Sequence, residues 1–246
     1  GVKVESGVTS ASLTDVRIVG GGSGKGTGVI KEGEGGMTLT SVGISNVAMG
    51  VEATAGRLEI KGNSTITFNN GSGNYGVRVK NGVTMATLTS VTIAGTGSGE
   101  GTGVVMGGKM LEMSGGSISN VAMGVEATNG DLTVSGVTMT GVQKGIDMSG
   151  SGTLTVRDRT RIEFMGEHGV KVESGVTSAS LTNVTIRGEG TGKGVIKDGT
   201  GDLRMERVDI SKVQTGIQVS NGDLTVNGGT ISEVQTGITM SGSGTL

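Results

Sequence analysis

The chain repeats itself, and a repeat unit too short to bury its own apolar face can fold only by stacking on further copies. GVKVESGVTSASLT at 1–14 recurs unchanged at 169–182, SNVAMGVEAT begins at Ser45 and again at Ser119, and MSGSGTL begins at Met148 and at Met240. Beneath these duplications lies a finer unit, a Gly followed by h-x-h, where h is apolar. It starts at Gly1, Gly28, Gly50, Gly76, Gly103, Gly124, Gly145, Gly169, Gly194, Gly216 and Gly237, at spacings of 21 to 27 residues. In the unit at Gly124, Val125 and Ala127 are followed by Leu132, Val134, Val137 and Met139. Apolar residues two apart share one face of a strand, and the Gly, Asn and Asp between them supply turns. The pattern predicts about three short strands per unit.

Stacked at about 4.8 Å per unit, ten spacings give a rod about 48 Å long. Crossovers between parallel strands are right-handed, so the expected fold is all-β, a right-handed parallel β-helix of about eleven coils forming one solenoid over 1–246. Composition agrees. Only 33% of the residues are apolar, 51 are Gly, none is Pro, Cys or Trp, and the aromatics are Phe68, Phe164 and Tyr75, so the interior must be thin. The 12 Met are expected as adaptable core filler. Ser12, Thr38, Thr87, Thr133, Thr155, Ser180 and Thr225 are expected as an outward hydroxyl ladder on the second strand.

The net charge is −2 with both signs scattered, which leaves no basic footprint for nucleic acid. No run of about 20 apolar residues would insert this segment into a membrane. One His and no Cys leave little for zinc, and no cofactor is expected. GGGSGKGT at 20–27 fails as a phosphate-binding loop. Val19 stands where the first Gly belongs, Gly26 follows Lys25 in place of Ser or Thr, and no helix comes next; GEGTGKG around Lys193 fails in the same way.

Five insertions, 20–27, 69–75, 95–102, 165–168 and 188–193, all follow the last strand of a unit and should crowd along one corner. Insertions on one face of a repeat protein mark its binding side, and the only Tyr, Tyr75, and the only His, His168, fall there beside Lys25 and Lys193. The plainer alternative is flexible filler at a tolerant corner. Arg157, Arg159 and Arg161, spaced two apart, would project from one side if extended, although Asp158, Glu163 and Glu167 favour a neutralised, solvated face. The middle residues of the first strands read Lys3, Ile30, Glu52, Arg78, Val105, Glu126, Asp147, Lys171, Ile196, Gln218 and Thr239. Glu126 and Asp147 are acidic neighbours one rung apart, a separation compatible with a retaining glycosidase pair. With no aromatic platform and Lys171 on the next rung, two solvated carboxylates are the preferred reading, and no enzyme is expected. Ile30, Val105 and Ile196 in the same column offer an apolar contact for a partner.

The Gly-h-x-h strands, the Asn-Gly-Asp turns before Leu132 and Leu224, and GNSTITF at Gly62 resemble passenger domains of bacterial autotransporters. The duplicated GVKVESGVTSASLT and SNVAMGVEAT blocks more narrowly resemble inducible autotransporters of endothelium-colonising bacteria, a group that includes a secreted angiogenic factor. The resemblance implies a right-handed β-helix, secreted or displayed on the bacterial surface, acting without catalysis on a host cell-surface receptor such as a vascular endothelial growth factor receptor. It maps no binding residue. A translocator barrel needs aromatic girdles that three aromatics cannot supply, so the chain is expected to be a piece of a longer passenger. The remaining readings are a polysaccharide-active β-helix and a structural stalk.

Overall fold

The computed structural model describes residues 1–21 and 25–246. It is an all-β, right-handed parallel β-helix of about ten turns. Coils lie in register along the whole rod: Lys3 pairs with Ile30, Ile30 with Glu52, Glu52 with Arg78, and so on through Glu126, Asp147, Lys171, Ile196 and Gln218 to Thr239. The outward column expected from the sequence is therefore a physical ladder. The second-strand ladder is equally continuous, from Ser12 and Thr38 through Thr133 and Thr155 to Arg204 and Thr225.

The Gly that opens most units has a steric cause. A Cβ on Gly28, Gly194 or Gly216 would come within 2.5–2.7 Å of Cγ2 of Ile44, Ile210 or Ile231, the Ile at the centre of the third strand. First and third strands thus meet through bare backbone on one side and a β-branched side chain on the other. Elsewhere the core is one continuous seam of Val, Leu and Ile, for example Val125, Leu132, Val134 and Ile118.

The first two coils are each divided into three short strands, Val2–Val4, Ser10–Thr14 and Arg17–Val19, then Thr27–Lys31, Gly36–Thr40 and Gly43–Val47, whereas in later coils the strands merge around the corners. A single left-handed residue turns the chain between second and third strands, in a gap at Asp15 and Ser41 and within a continuous strand at Ser90, all at φ 54°. The strand Tyr75–Thr96 consequently runs for 22 residues around the corners. Two longer turns, at 61–65 and 157–161, bring Ser64 and Thr160 inside. Ser64 Oγ donates to the Lys61 carbonyl at 2.6 Å and accepts from Val42 N at 3.0 Å; Thr160 Oγ1 donates to the Arg157 carbonyl at 2.7 Å.

The methionines divide. Met37, Met106, Met113, Met139, Met148 and Met205 fill the core, whereas Met110 and Met165 are exposed because they occupy outward positions. The Asn-Gly-Asp and Ser-Gly-Ser-Gly-Thr motifs are two halves of one clasp between neighbouring coils. Ser151 Oγ donates to Asn129 Oδ1 at 2.8 Å, and Thr153 donates to Asp131 Oδ1 from both N (2.9 Å) and Oγ1 (2.8 Å). Thr245 repeats this on Asp223, at 2.8 and 2.9 Å.

Candidate functional site

The insertions do collect along one corner, and two phenylalanines explain most of them. Phe68 and Phe164 are buried at the end of the third strand, where most other coils carry a smaller side chain or Gly. The neighbouring loops bend over these rings. A Cβ on Gly101 would lie 3.0 Å from Phe68 Cε2, and Cβ atoms on Gly188 and Gly192 would lie 3.2 and 3.0 Å from Phe164 Cζ and Cε2. Asn70 ties the corner lengthwise, its Nδ2 donating to the carbonyls of Gly97 (3.1 Å) and Asn120 (2.9 Å). Of the insertion at 20–27, residues 22–24 lie outside the described residues; Asn46 Nδ2 holds its near end through the carbonyls of Gly20 and Gly21, both at 3.0 Å.

Between the loops around Gly97–Gly99 and Gly188–Gly190 lie two coils with short turns, at 120–123 and 141–144, so the corner dips into a groove there. Its floor includes Val121, Ala122, Gly141 and Gln143, with Met165 (39% exposed) beyond them. A hollow of about 320 Å³ at Gly97–Met165 adjoins one of about 550 Å³ at Met165–Glu189 and another of about 510 Å³ reaching Lys212 and Glu233. The three share residues and form one trough along the rod.

The individual candidates fare differently. Lys25 is exposed and Lys193 half-buried at the start of the strand Lys193–Lys197. Tyr75 and His168, expected on the exposed corner, are each 1% exposed. Both precede the repeat Gly and belong to strands, in one ladder with Thr102, Met123, Lys144 and Lys193, so their side chains lie beneath neighbours on the first sheet. Tyr75 donates its hydroxyl to Glu52, and Arg78 covers its ring at 4.0 Å. Burial, reinforced by Glu52, pushes the Tyr75 phenol upward. Neither side chain is presented to a partner.

Arg157, Arg159 and Arg161 do not line one side. Asp158 and Arg159 both adopt positive φ, 59° and 65°, so the three arginines fan around the second corner. Arg157 pairs with Asp158 at 3.3 Å and Arg161 with Glu163, as a neutralised face requires. Arg159 has no carboxylate partner among the described residues.

Glu126 and Asp147 are register partners, as the spacing indicated. Asp147 is sunk beside His168, whose Nε2 lies 3.8 Å from Asp147 Oδ2 and has no hydrogen-bond partner. Burial raises the Asp147 carboxyl above its ordinary value, against the pull of Lys171 and Lys144. Burial, with Lys144 and Lys171 nearby, lowers His168 to about 4, so the imidazole is neutral at physiological pH. Lys144 is held by Glu167 at 2.8 Å and Lys171 by Glu173 at 2.6 Å. This is one of the perturbed groups of side chains on the first sheet, with Tyr75 and Glu52 another. Asp147 is therefore not simply a solvated carboxylate. Ile30, Val105 and Ile196 are half-buried in the same ladder.

Two residues escaped the sequence reading. Lys31 and Lys197 occupy inward positions of the first strand, each 1% exposed. Lys31 Nζ donates to the carbonyls of Gly33 (2.5 Å) and Ala55, and Lys197 Nζ to those of Gly199 (2.5 Å) and Asn221 (2.9 Å). Burial lowers both ammonium groups below their ordinary value. The signal was visible: in GVIK at 28–31 and 194–197 a Lys stands where the alternation demands an apolar residue. Among the described residues no group of three or more His, Asp or Glu side chains is placed to hold a metal ion.

Comparison with curated proteins and with solved structures finds no match. A family model described as a right-handed beta helix region matches residues 121–246, more than half of the sequence. Together with the register of its ladders, that match shows that the chain belongs to the right-handed β-helix family.

Proposed function

We propose that the chain is a passenger segment of a bacterial autotransporter, secreted or surface-displayed, which binds a host cell-surface receptor protein without catalysis. The observation that carries this reading is the trough along the insertion corner, walled by loops that rigid Phe-anchored packing holds in place. Loops on a rigid scaffold are where binding function concentrates. The trough is shallow and mixed in character, which suits a protein surface better than a small molecule. The resemblance of the duplicated blocks to angiogenic autotransporters favours a vascular endothelial growth factor receptor as the partner. The test is saturable binding of the soluble chain to the receptor ectodomain on a sensor surface, repeated with Met165→Glu and with the 188–193 loop shortened. Binding that both changes weaken supports the trough; no binding by a folded chain removes the proposal.

A second reading rests on Asp147. A carboxylic acid whose burial helps it to hold its proton, one rung from Glu126, is the arrangement a polysaccharide-cleaving β-helix would use, with Asp147 as acid and Glu126 as base or nucleophile. Cleavage of a glycan panel that disappears in Glu126→Ala/Asp147→Ala would establish it. No cleavage by the unaltered chain, or cleavage unchanged in that variant, would remove the pair.

A further inference from the structure

Stacking assembles an arginine corner that no stretch of sequence contains. The turn between second and third strands carries Arg159, Asn183 and Arg207 on three successive rungs. Arg159 N donates to the Asn183 carbonyl at 2.8 Å, and Arg207 Nε donates to Asn183 Oδ1 at 2.9 Å. Arg157 flanks this column on the first rung and Arg204 on the third, where Ser180 pairs with Arg204. Arg161 lies just beyond the corner on the third strand. Five of the nine arginines thus face one stretch of the rod about three rungs long. Their side chains are open to solvent: those of Arg204 and Arg207 are 60% and 63% exposed.

The acids in the patch are Asp158, Glu163, Glu206 and Asp209. Glu206 serves two arginines, at 3.1 Å from Arg207 and 3.9 Å from Arg204. Asp158 is shared between Arg157 and the Ser135 hydroxyl, 2.7 Å away. The corner therefore keeps a cationic surplus of one, five minus four, and the rung between the two arginine rungs presents neutral Thr182 and Asn183 there.

The backbone of the corner follows the rule of this turn. Arg159 and Arg207 are left-handed, φ 65° and 50°, as are Asp15, Ser41, Ser90 and Asn183 at φ 54°, and Gly115, Gly136 and Gly228 take the turn in other coils. Glycine therefore fits the backbone at Arg159 and Arg207 without strain.

We propose that this corner binds a sulfated, linear polysaccharide laid along the rod axis. Arginine forks suit planar or tetrahedral oxyanions. The two arginine rungs are about 10 Å apart, and a linear glycan presents charge at regular intervals along its length, matching a ladder rather than a pocket. The surface lies on a different corner from the trough and is independent of the receptor reading.

Heparin affinity tests it, with hyaluronan as the unsulfated polyanion and polyglutamate as the acidic peptide. The informative variant is Arg159→Gly/Arg207→Gly, because glycine fits the left-handed backbone and preserves the fold; Arg17→Gln, on a distant coil, is the control. The 246-residue chain should bind heparin at physiological salt and ignore hyaluronan. The double variant should bind at least about tenfold more weakly, with the slope of log K against log salt reduced by about two, while the control is unchanged. Absence of heparin binding, an equal loss in the control, an unaltered double variant, or preference for polyglutamate would each overturn the proposal.

Discussion

Gly145 shows how little room a first-strand glycine has. A Cβ there would collide with the backbone carbonyl of Gly169 and with Ile162 Cγ2. Backbone cannot step aside, so Gly145→Ala should destabilise the rod by about 1–3 kcal/mol, the usual range for overpacking. Gly124→Ala meets backbone too, the Gly145 carbonyl at 2.5 Å, farther than the Gly169 carbonyl lies from a Cβ at Gly145, but its side-chain obstacle is the flexible Met139 Sδ at 3.0 Å, so it should cost somewhat less. Denaturant midpoints of the two variants check the order. His168 gives a pH signature. Its folded value of about 4 lies below the ordinary 6.5, so between those values the unfolded chain binds a proton that the native chain refuses. Stability therefore falls as pH drops through this window, by on the order of 2–3 kcal/mol. Asp147, raised in the fold, works in the opposite direction, since its protonation in acid is favourable to the native state. His168→Gln, neutral throughout, should flatten the loss between pH 7 and pH 4 in thermal melts. An unchanged profile would refute the assignment.

At the level of elements, loops and core are coupled through aromatic rings. Phe164 supports Gly188 and Gly192 from below, so Phe164→Ala should cost about 3–5 kcal/mol and loosen 188–193 in particular. Limited proteolysis followed by mass mapping would place the first cut in that loop; a first cut elsewhere would break the link. The inward lysines act at the same scale. Each joins the turn of its own coil to that of the next, Lys31 through Gly33 and Ala55, Lys197 through Gly199 and Asn221. Their lowered values mean that the unfolded chain holds more protons just below pH 10.5, so these two groups make the native state gain stability as pH rises toward it. The gain should shrink in Lys31→Met/Lys197→Met when chemical denaturation at pH 8 and pH 10 is compared.

For the molecule as a whole, stability is a sum over neighbouring coils. Removing one complete unit, residues 124–144, leaves Gly145 to stack where Gly124 stood, with an equivalent Gly-h-x-h strand and third strand. The shortened chain should keep its β-sheet dichroism and lose about 4.8 Å of length in solution scattering. Removing half a unit would put outward residues into the seam and should unfold the coils around the junction.

Alternation and period by themselves determined the architecture, because a strand's two faces are set by odd and even positions and a 21-residue unit has no other way to cover its apolar side. The outward ladder from Lys3 to Thr239 and the opening Gly of each coil were legible for that reason, and GVIK was legible as an exception. The depth of Tyr75 and His168, the pairing of Asn-Gly-Asp with Ser-Gly-Ser-Gly-Thr, the bend of the loops over Phe68 and Phe164, and the meeting of Arg159 with Arg207 were decided only by the tertiary structure. Each depends on which residues of adjacent coils lie one rung apart, and insertions of unequal length hide that register until the chain is wound.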